Sequence, residues 1–230
     1  MKVFCVFGVS SCFDRLSFSV AELHFFNPYA DIRFTANRLP HWQQEGAVYF
    51  VTFRLADSVP HNLRTQWESE REAGLRVHPE PRSAEIEREY HERFSGAIEH
   101  WLDAGYGSCI LRRRDCAEIV AEALRYFDDK RLALISFAVM PNHVHALFVQ
   151  NVEWPLEKVL RSWKSFTSRK INSLLRRDGS LWQRDYFDRL VRDEKHFASC
   201  VRYVRGNPAK AHLHSGKYIL YETELARSIE

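Results

Sequence analysis

Nowhere in its 230 residues does this chain hold the run of roughly 20 apolar residues that a membrane-spanning helix needs, so no span and no membrane partner are expected. Its five cysteines, at 5, 12, 109, 116 and 200, form no C-x-x-C pair and leave one over, which makes a reducing cytoplasm the simpler home. An H-E-x-x-H run is missing, as is any other dense run of metal ligands. There is no internal repeat and no low-complexity linker. The opening "MKVFCVFGVSSC" has one lysine, a short apolar run and a small-residue approach to Cys12, but Asp14 and Arg15 follow too soon for an export signal. Residues 1–37 are therefore read as an N-terminal extension whose order is left open.

Apolar residues, by contrast, are plentiful. A hydrophobic share of 45%, with six Trp and sixteen Phe, can bury a core in one domain with insertions. The net charge of +3 is small, yet residues 161–210 hold 13 Lys and Arg against 5 Asp and Glu. Positive charge concentrated in one segment is an electrostatic footprint for phosphates, although a solvated basic face has the same composition.

Strand and helix patterns alternate along the chain. "AVYFVTFRLAD" (47–57), rich in aromatic and β-branched residues, predicts the first strand of the domain. The charged stretch after Pro60 predicts a helix stopping near His78-Pro79, and residues 83–104 repeat apolar positions at helical spacing. Both are expected to lie outside the catalytic centre. "DCAEIVAEALRYFDD" predicts a further amphipathic helix; "RLALISFAVM" and "HVHALFVQ", parted by Pro141-Asn142, predict an antiparallel hairpin. The next helix carries an apolar stripe of Leu156, Val159, Leu160, Trp163, Phe166, Ile171 and Leu174, with Lys158, Arg161, Lys164, Arg169 and Lys170 on its other side. "SLWQRDYFDRLV" reads as a loop entering a strand. The last helix starts at Asp193 as its cap, carries Arg202 and Arg205, and is expected to end at Gly206-Asn207-Pro208.

One short motif carries chemistry. In "MPNHVHALF", strand alternation puts His143 and His145 on one face and Val144 on the other, so two imidazoles stand side by side. Such a pair suits a divalent metal, and it suits equally two half-exposed histidines on a sheet face. Helical periodicity sets Tyr203 beside Asn207, if the last turn persists that far. A tyrosine hydroxyl, with a pKa of about 10, is a poor nucleophile until its target is polarised; a metal on a phosphodiester supplies that polarisation.

The segments "LPHWQQEGAVYFVTFRLADS", "MPNHVHALF", "SWKSFTSRKIN", "LWQRDYFDRLVRDEKHF" and "CVRYVRGNPAKAHL" resemble, in order, the REP-associated tyrosine transposases. These are bacterial single-tyrosine transposases of the HUH (His-hydrophobic-His) nuclease superfamily. The resemblance runs from about residue 38 to 213, with a helical insertion at 62–104 and a C-terminal tail at 214–230. It implies an α/β (α+β) fold, a ferredoxin-like sandwich whose antiparallel central sheet carries the His-Val-His strand with helices packed on it. By the same resemblance His143 and His145 are metal ligands, Asn207 completes the metal site and Tyr203 is the nucleophile, whereas Tyr186 does not match that position. Gly206 departs from this pattern, because glycine weakens a helix by about 1 kcal/mol relative to alanine just where Asn207 must be placed.

The function so implied is a transposase-like strand transferase that nicks and rejoins single-stranded hairpin DNA through a 5′-phosphotyrosine, using Mg²⁺ or Mn²⁺. REP-like palindromes would be its DNA partner; whether it acts as monomer or homodimer stays open. Lys158, Arg161, Lys164, Arg169, Lys170, Arg202 and Arg205 are the candidate DNA contacts. Trp42, Trp163 and Trp182 are available either to stack on bases or to fill the core. The alternative is a domesticated DNA-hairpin-binding protein that does not cut. A metal hydrolase with a water nucleophile would need further ligands near the histidine pair.

Overall fold

Two antiparallel pairings on either side of one strand determine where every candidate group lies. The computed structural model describes residues 19–36, 40–77 and 96–230. In chain order its elements are strands β1 (Arg33–Ala36), β2 (Pro40–Gln43) and β3 (Val48–Arg54), then helices α1 (His61–Val77), α2 (Gly96–Asp103) and α3 (Arg114–Tyr126). After these come β4 (Leu132–Val139), β5 (His143–Gln150), α4 (Leu156–Leu175), β6 (Phe187–Leu190), α5 (Glu194–Lys210), β7 (Ile219–Glu222) and a short α6 (Glu224–Arg227).

Strands β1 and β2 pair with each other; the other five form one sheet in the order β6-β3-β5-β4-β7. All four of its pairings are antiparallel. Taken alone, β3-α3-β4-β5-α4-β6 is a β-α-β-β-α-β unit, the ferredoxin-like arrangement expected from the resemblance. The fold is mixed α/β, and β7 adds a fifth strand at one edge. Residues 214–230 are thus not a tail: Thr223 N also donates to Ile135 O at 3.0 Å, tying the end of the chain to β4. No described helix is long and apolar enough to cross a membrane.

The central strands β4 and β5 are covered on both faces, which their unbroken apolar runs require. On one face Tyr49, Val51, Phe53, Val144 and Phe148 pack against α3 and α4. Trp163, fully buried beside Phe53 and Phe148, holds α4 there, and truncating it to alanine would cost about 3–5 kcal/mol. On the other face Phe50, Ala138 and Leu147 pack against Phe197, Val201 and Val204 of α5. Alternation places His143 and His145 on this second face, with the tyrosine helix.

Several expectations need correction. Phe166 and Leu174 are exposed, and Thr167 takes the buried place in the α4 stripe, because the turn-by-turn advance carries 166 and 174 past the sheet. Helix α5 does not stop at Gly206-Asn207-Pro208 but runs to Lys210. Pro208 forfeits only its own N–H bond, while Asn207 and Pro208 are buried and the ladder resumes with Ala211 N donating to Asn207 O at 3.0 Å. The expected helix at 83–104 is described only from Gly96, residues 78–95 lying outside the described residues, as does the "MKVFCVFGVSSC" segment. The described part of the N-terminal extension, residues 19–36, is tied to the domain: Phe26 N donates to Val191 O at 2.8 Å and Val48 N to His24 O at 3.1 Å.

Candidate active site

The β4–β5 turn delivers the histidines. Pro141 and Asn142 make the turn, Met140 N donates to His143 O at 2.9 Å, and β5 begins at His143. His143 and His145 are 1% and 2% exposed, with ring centroids 4.6 Å apart and their Nε2 atoms separated by 3.0 Å. Burial lowers the His143 imidazole to about 3 and pushes His145 well below its ordinary value, so both rings are neutral at neutral pH.

Neighbouring groups orient the rings. Asn142 Nδ2 donates to the carbonyls of Leu102 and Tyr106, both at 3.2 Å, so its Oδ1 is the acceptor that faces His143 Nδ1 at 2.8 Å. That assignment puts the proton on Nδ1 and leaves the Nε2 lone pair pointing inward. His145 Nδ1 is 2.7 Å from Thr52 Oγ1, the residue opposite it across β3–β5. A hydrogen-bonded outer nitrogen behind a free inner one is how metal-bound histidines are commonly supported.

Tyr203 meets this pair from α5. Its ring stands edge-on to Phe50 at 5.6 Å and to His145 at 5.1 Å. Burial, followed by the negative charge of Glu99 and Asp103, raises its hydroxyl far above the usual tyrosine range, so the oxygen carries its proton at neutral pH. One turn on, Asn207 is 1% exposed, and neither Oδ1 nor Nδ2 closes a hydrogen bond. It acts on His143 and Tyr203 as a close neighbour without bonding geometry to either. A buried amide without partners is costly unless something else occupies it.

The spacing of these donors suits a divalent cation. Two cis ligands with bonds of about 2.1 Å at right angles stand about 3.0 Å apart, the separation of the two Nε2 atoms. The orphaned Asn207 oxygen, beside His143, would supply a third neutral donor. Among the described residues no group of three or more His, Cys, Asp and Glu is placed to hold a metal, so any further ligands would be water and phosphate oxygens. The residues fit a weakly held hard cation.

The basic candidates disperse. Lys158, Arg161, Arg169 and Lys170 are exposed on α4, across the sheet from the histidines. Lys164 is spent on structure: its Nζ donates to Arg184 O at 2.7 Å, and burial lowers the ammonium to about 8. On the site side, Arg202 donates to Glu230 O, and Arg205 to Glu222 and the carbonyls of Ala226 and Ile229. Tyr186 is buried in the core of the opposite face. Trp163 and Trp182 are buried and Trp42 is half exposed. The described cysteines, 109, 116 and 200, are free and buried. Sequence reasoning missed Thr52, Glu99, Asp103 and Lys210, and took Asn142 only for a turn residue; a polar residue directly before the first histidine was the one available signal.

Residues 110–207 match the family model described as "Transposase IS200 like". The family resemblance holds over that segment. It takes in the hairpin with His143, Val144 and His145 and ends on Asn207, four residues beyond Tyr203. An uncharacterized protein of Haemophilus influenzae is 28% identical over 93 residues, covering 31% of this chain and 52% of that protein. The chain thus spans about half the length of the curated relative it matches. A solved structure, described as that of "the REP associates tyrosine transposase bound to a REP hairpin", is 14% identical with a TM-score of 0.42, over 76% of this chain and 74% of that one.

Proposed function

We propose that the protein is a strand transferase of transposase type that cuts and rejoins folded single-stranded DNA through Tyr203. The observation that carries this reading is the convergence of three groups on one sheet face: the facing Nε2 atoms of His143 and His145, the partnerless Asn207 amide, and the Tyr203 ring against His145. Tyr203 Oη attacks phosphorus; the Oη–P bond forms, the P–O3′ bond breaks, and a 5′-phosphotyrosine and a free 3′-hydroxyl result. The reverse step rejoins a strand. His143, His145 and Asn207 would hold Mg²⁺ or Mn²⁺, which when bound neutralises charge on the non-bridging phosphate oxygens. Thr52 and Asn142 keep the imidazoles in the ligating orientation, and Phe50 and His145 restrict the tyrosine ring to one approach.

Hairpin-forming palindromes are the DNA this reading assigns, in keeping with the family resemblance. Incubation with a labelled hairpin oligonucleotide and Mg²⁺ or Mn²⁺ should yield a denaturant-resistant protein–DNA adduct. Hairpin binding without an adduct under either metal would leave a DNA-binding protein that does not cut.

A further inference from the structure

Glu99 and Asp103 have no part in the reaction as written, and their charge opposes both a phenolate and an incoming phosphodiester. They lie one turn apart on α2 and share a face. Tyr203 and Lys210 lie about two turns apart on α5 and share another. These faces meet: Lys210 Nζ is 2.9 Å from Asp103 Oδ2, 3.9 Å from Glu99 Oε2 and 5.9 Å from the centre of the Tyr203 ring. Lys210 thus lies between the Glu99 carboxyl and the Tyr203 ring, and the negative charge of Glu99 bears on the Tyr203 hydroxyl. Helix α2 is held in place by Asn142, whose amide binds Leu102 O while its oxygen faces His143. The asparagine that orients the first histidine therefore also positions the helix bearing the carboxylates, and α2 does not lie outside the centre as its sequence suggested.

We infer that Glu99 is the proton acceptor for Tyr203, taking the hydroxyl proton as that oxygen bonds to phosphorus. The inference rests on Tyr203 being the nucleophile. As the Oη–P bond forms and P–O3′ breaks, the phenolic proton passes to a Glu99 oxygen and the departing O3′ takes a proton from water; in rejoining, Glu99 returns its proton to the tyrosine. Asp103 is a positioning residue, drawing the Lys210 ammonium into the shorter ion pair and leaving Glu99 the longer one. Burial raises the Glu99 carboxyl above its ordinary range, with Asp103 adding to the rise and Lys210, Tyr203 and Arg189 of β6 opposing it. A carboxylate shifted this way is a better base at neutral pH.

The test compares the full chain, Glu99→Gln and Tyr203→Phe in single-turnover adduct formation on a hairpin oligonucleotide with Mn²⁺, across pH. Glu99→Gln should slow adduct formation by about a hundredfold or more and lose the acid limb of the wild-type profile, with hairpin affinity and thermal midpoint near wild type. A Glu99→Gln rate within about threefold of wild type, acid limb intact, overturns the inference while an inert Tyr203→Phe leaves the nucleophile standing. No adduct from the wild type removes both. A second measurement does not need turnover: in 3-fluorotyrosine-labelled protein at neutral pH, the ¹⁹F resonance of residue 203 should shift in Glu99→Gln. An unmoved resonance places the carboxylate away from the hydroxyl and likewise overturns the inference.

Discussion

Tyr203 stands edge-on to His145, ring centroids 5.1 Å apart and planes at 80°, so the proposed nucleophile and one proposed metal ligand are in van der Waals contact before any DNA arrives. Helix α5 needs no rearrangement to bring them together. Such a preformed pair lowers the entropy cost of reaching the reactive geometry.

Tyr203→Phe should therefore abolish the adduct, by at least about a thousandfold, without disturbing the fold. The change removes one oxygen and keeps the ring contacts with Phe50 and His145. Hairpin affinity by fluorescence polarisation should stay within about twofold. A surviving adduct would show that another residue attacks.

Asn142→Ala should damage metal binding and stability together. It strips the acceptor from His143 Nδ1 and the donor from two carbonyls. Stability should fall by about 2–3 kcal/mol in urea unfolding, and Mn²⁺ affinity by calorimetry about 10- to 100-fold. Loss of stability with unchanged Mn²⁺ affinity would mean that the His143 orientation does not depend on this bond.

Gly206→Ala should stabilise the protein by about 0.5–1 kcal/mol. The residue is within α5, its backbone is compatible with any side chain, and an added Cβ meets nothing within 4 Å. Cleavage should be unchanged. A stabilised variant that binds hairpin DNA markedly less well would instead show that the glycine admits a closely approaching DNA backbone.

Lys164 should make stability depend on pH in one direction. Its folded value of about 8 lies below the roughly 10.4 of an unfolded lysine. Between those values the unfolded chain binds more protons, so this group's contribution to stability rises with pH across that window and is at its least favourable below pH 8. The wild-type stability minus that of Lys164→Met should accordingly increase from pH 7.5 to 9.5 in urea titrations. A constant difference would mean that Lys164 keeps an ordinary ammonium.

Replacing Arg161, Arg169 and Lys170 by alanine should flatten the salt dependence of hairpin binding by about 2–3 in the slope of log K against log salt. Adduct formation at saturating DNA should hold, since these side chains lie across the sheet from Tyr203. An unchanged slope would move the DNA path to the site side, where Arg54 and Arg189 flank the histidine face.

What the sequence determined by itself was local and periodic: the hairpin around Pro141-Asn142, the shared face of His143 and His145, the Asp193 cap of the tyrosine helix and, through several separated motifs, a resemblance to a transposase family that holds over residues 110–207. Each depends on residues within a turn or a strand of one another, so the period of the chain suffices. The tertiary structure alone decided the rest. Thr52 reaches His145 from 93 residues away, and Lys210 of α5 brings Glu99 of α2 beside Tyr203 across a gap no periodicity spans. Whether a lysine faces DNA or a carbonyl is likewise a matter of packing, as Lys164 shows. Helix α5 runs through Gly206 and Pro208 because burial of Val201, Val204 and Pro208 outweighs the local preference to stop, and that balance exists only once the sheet is in place.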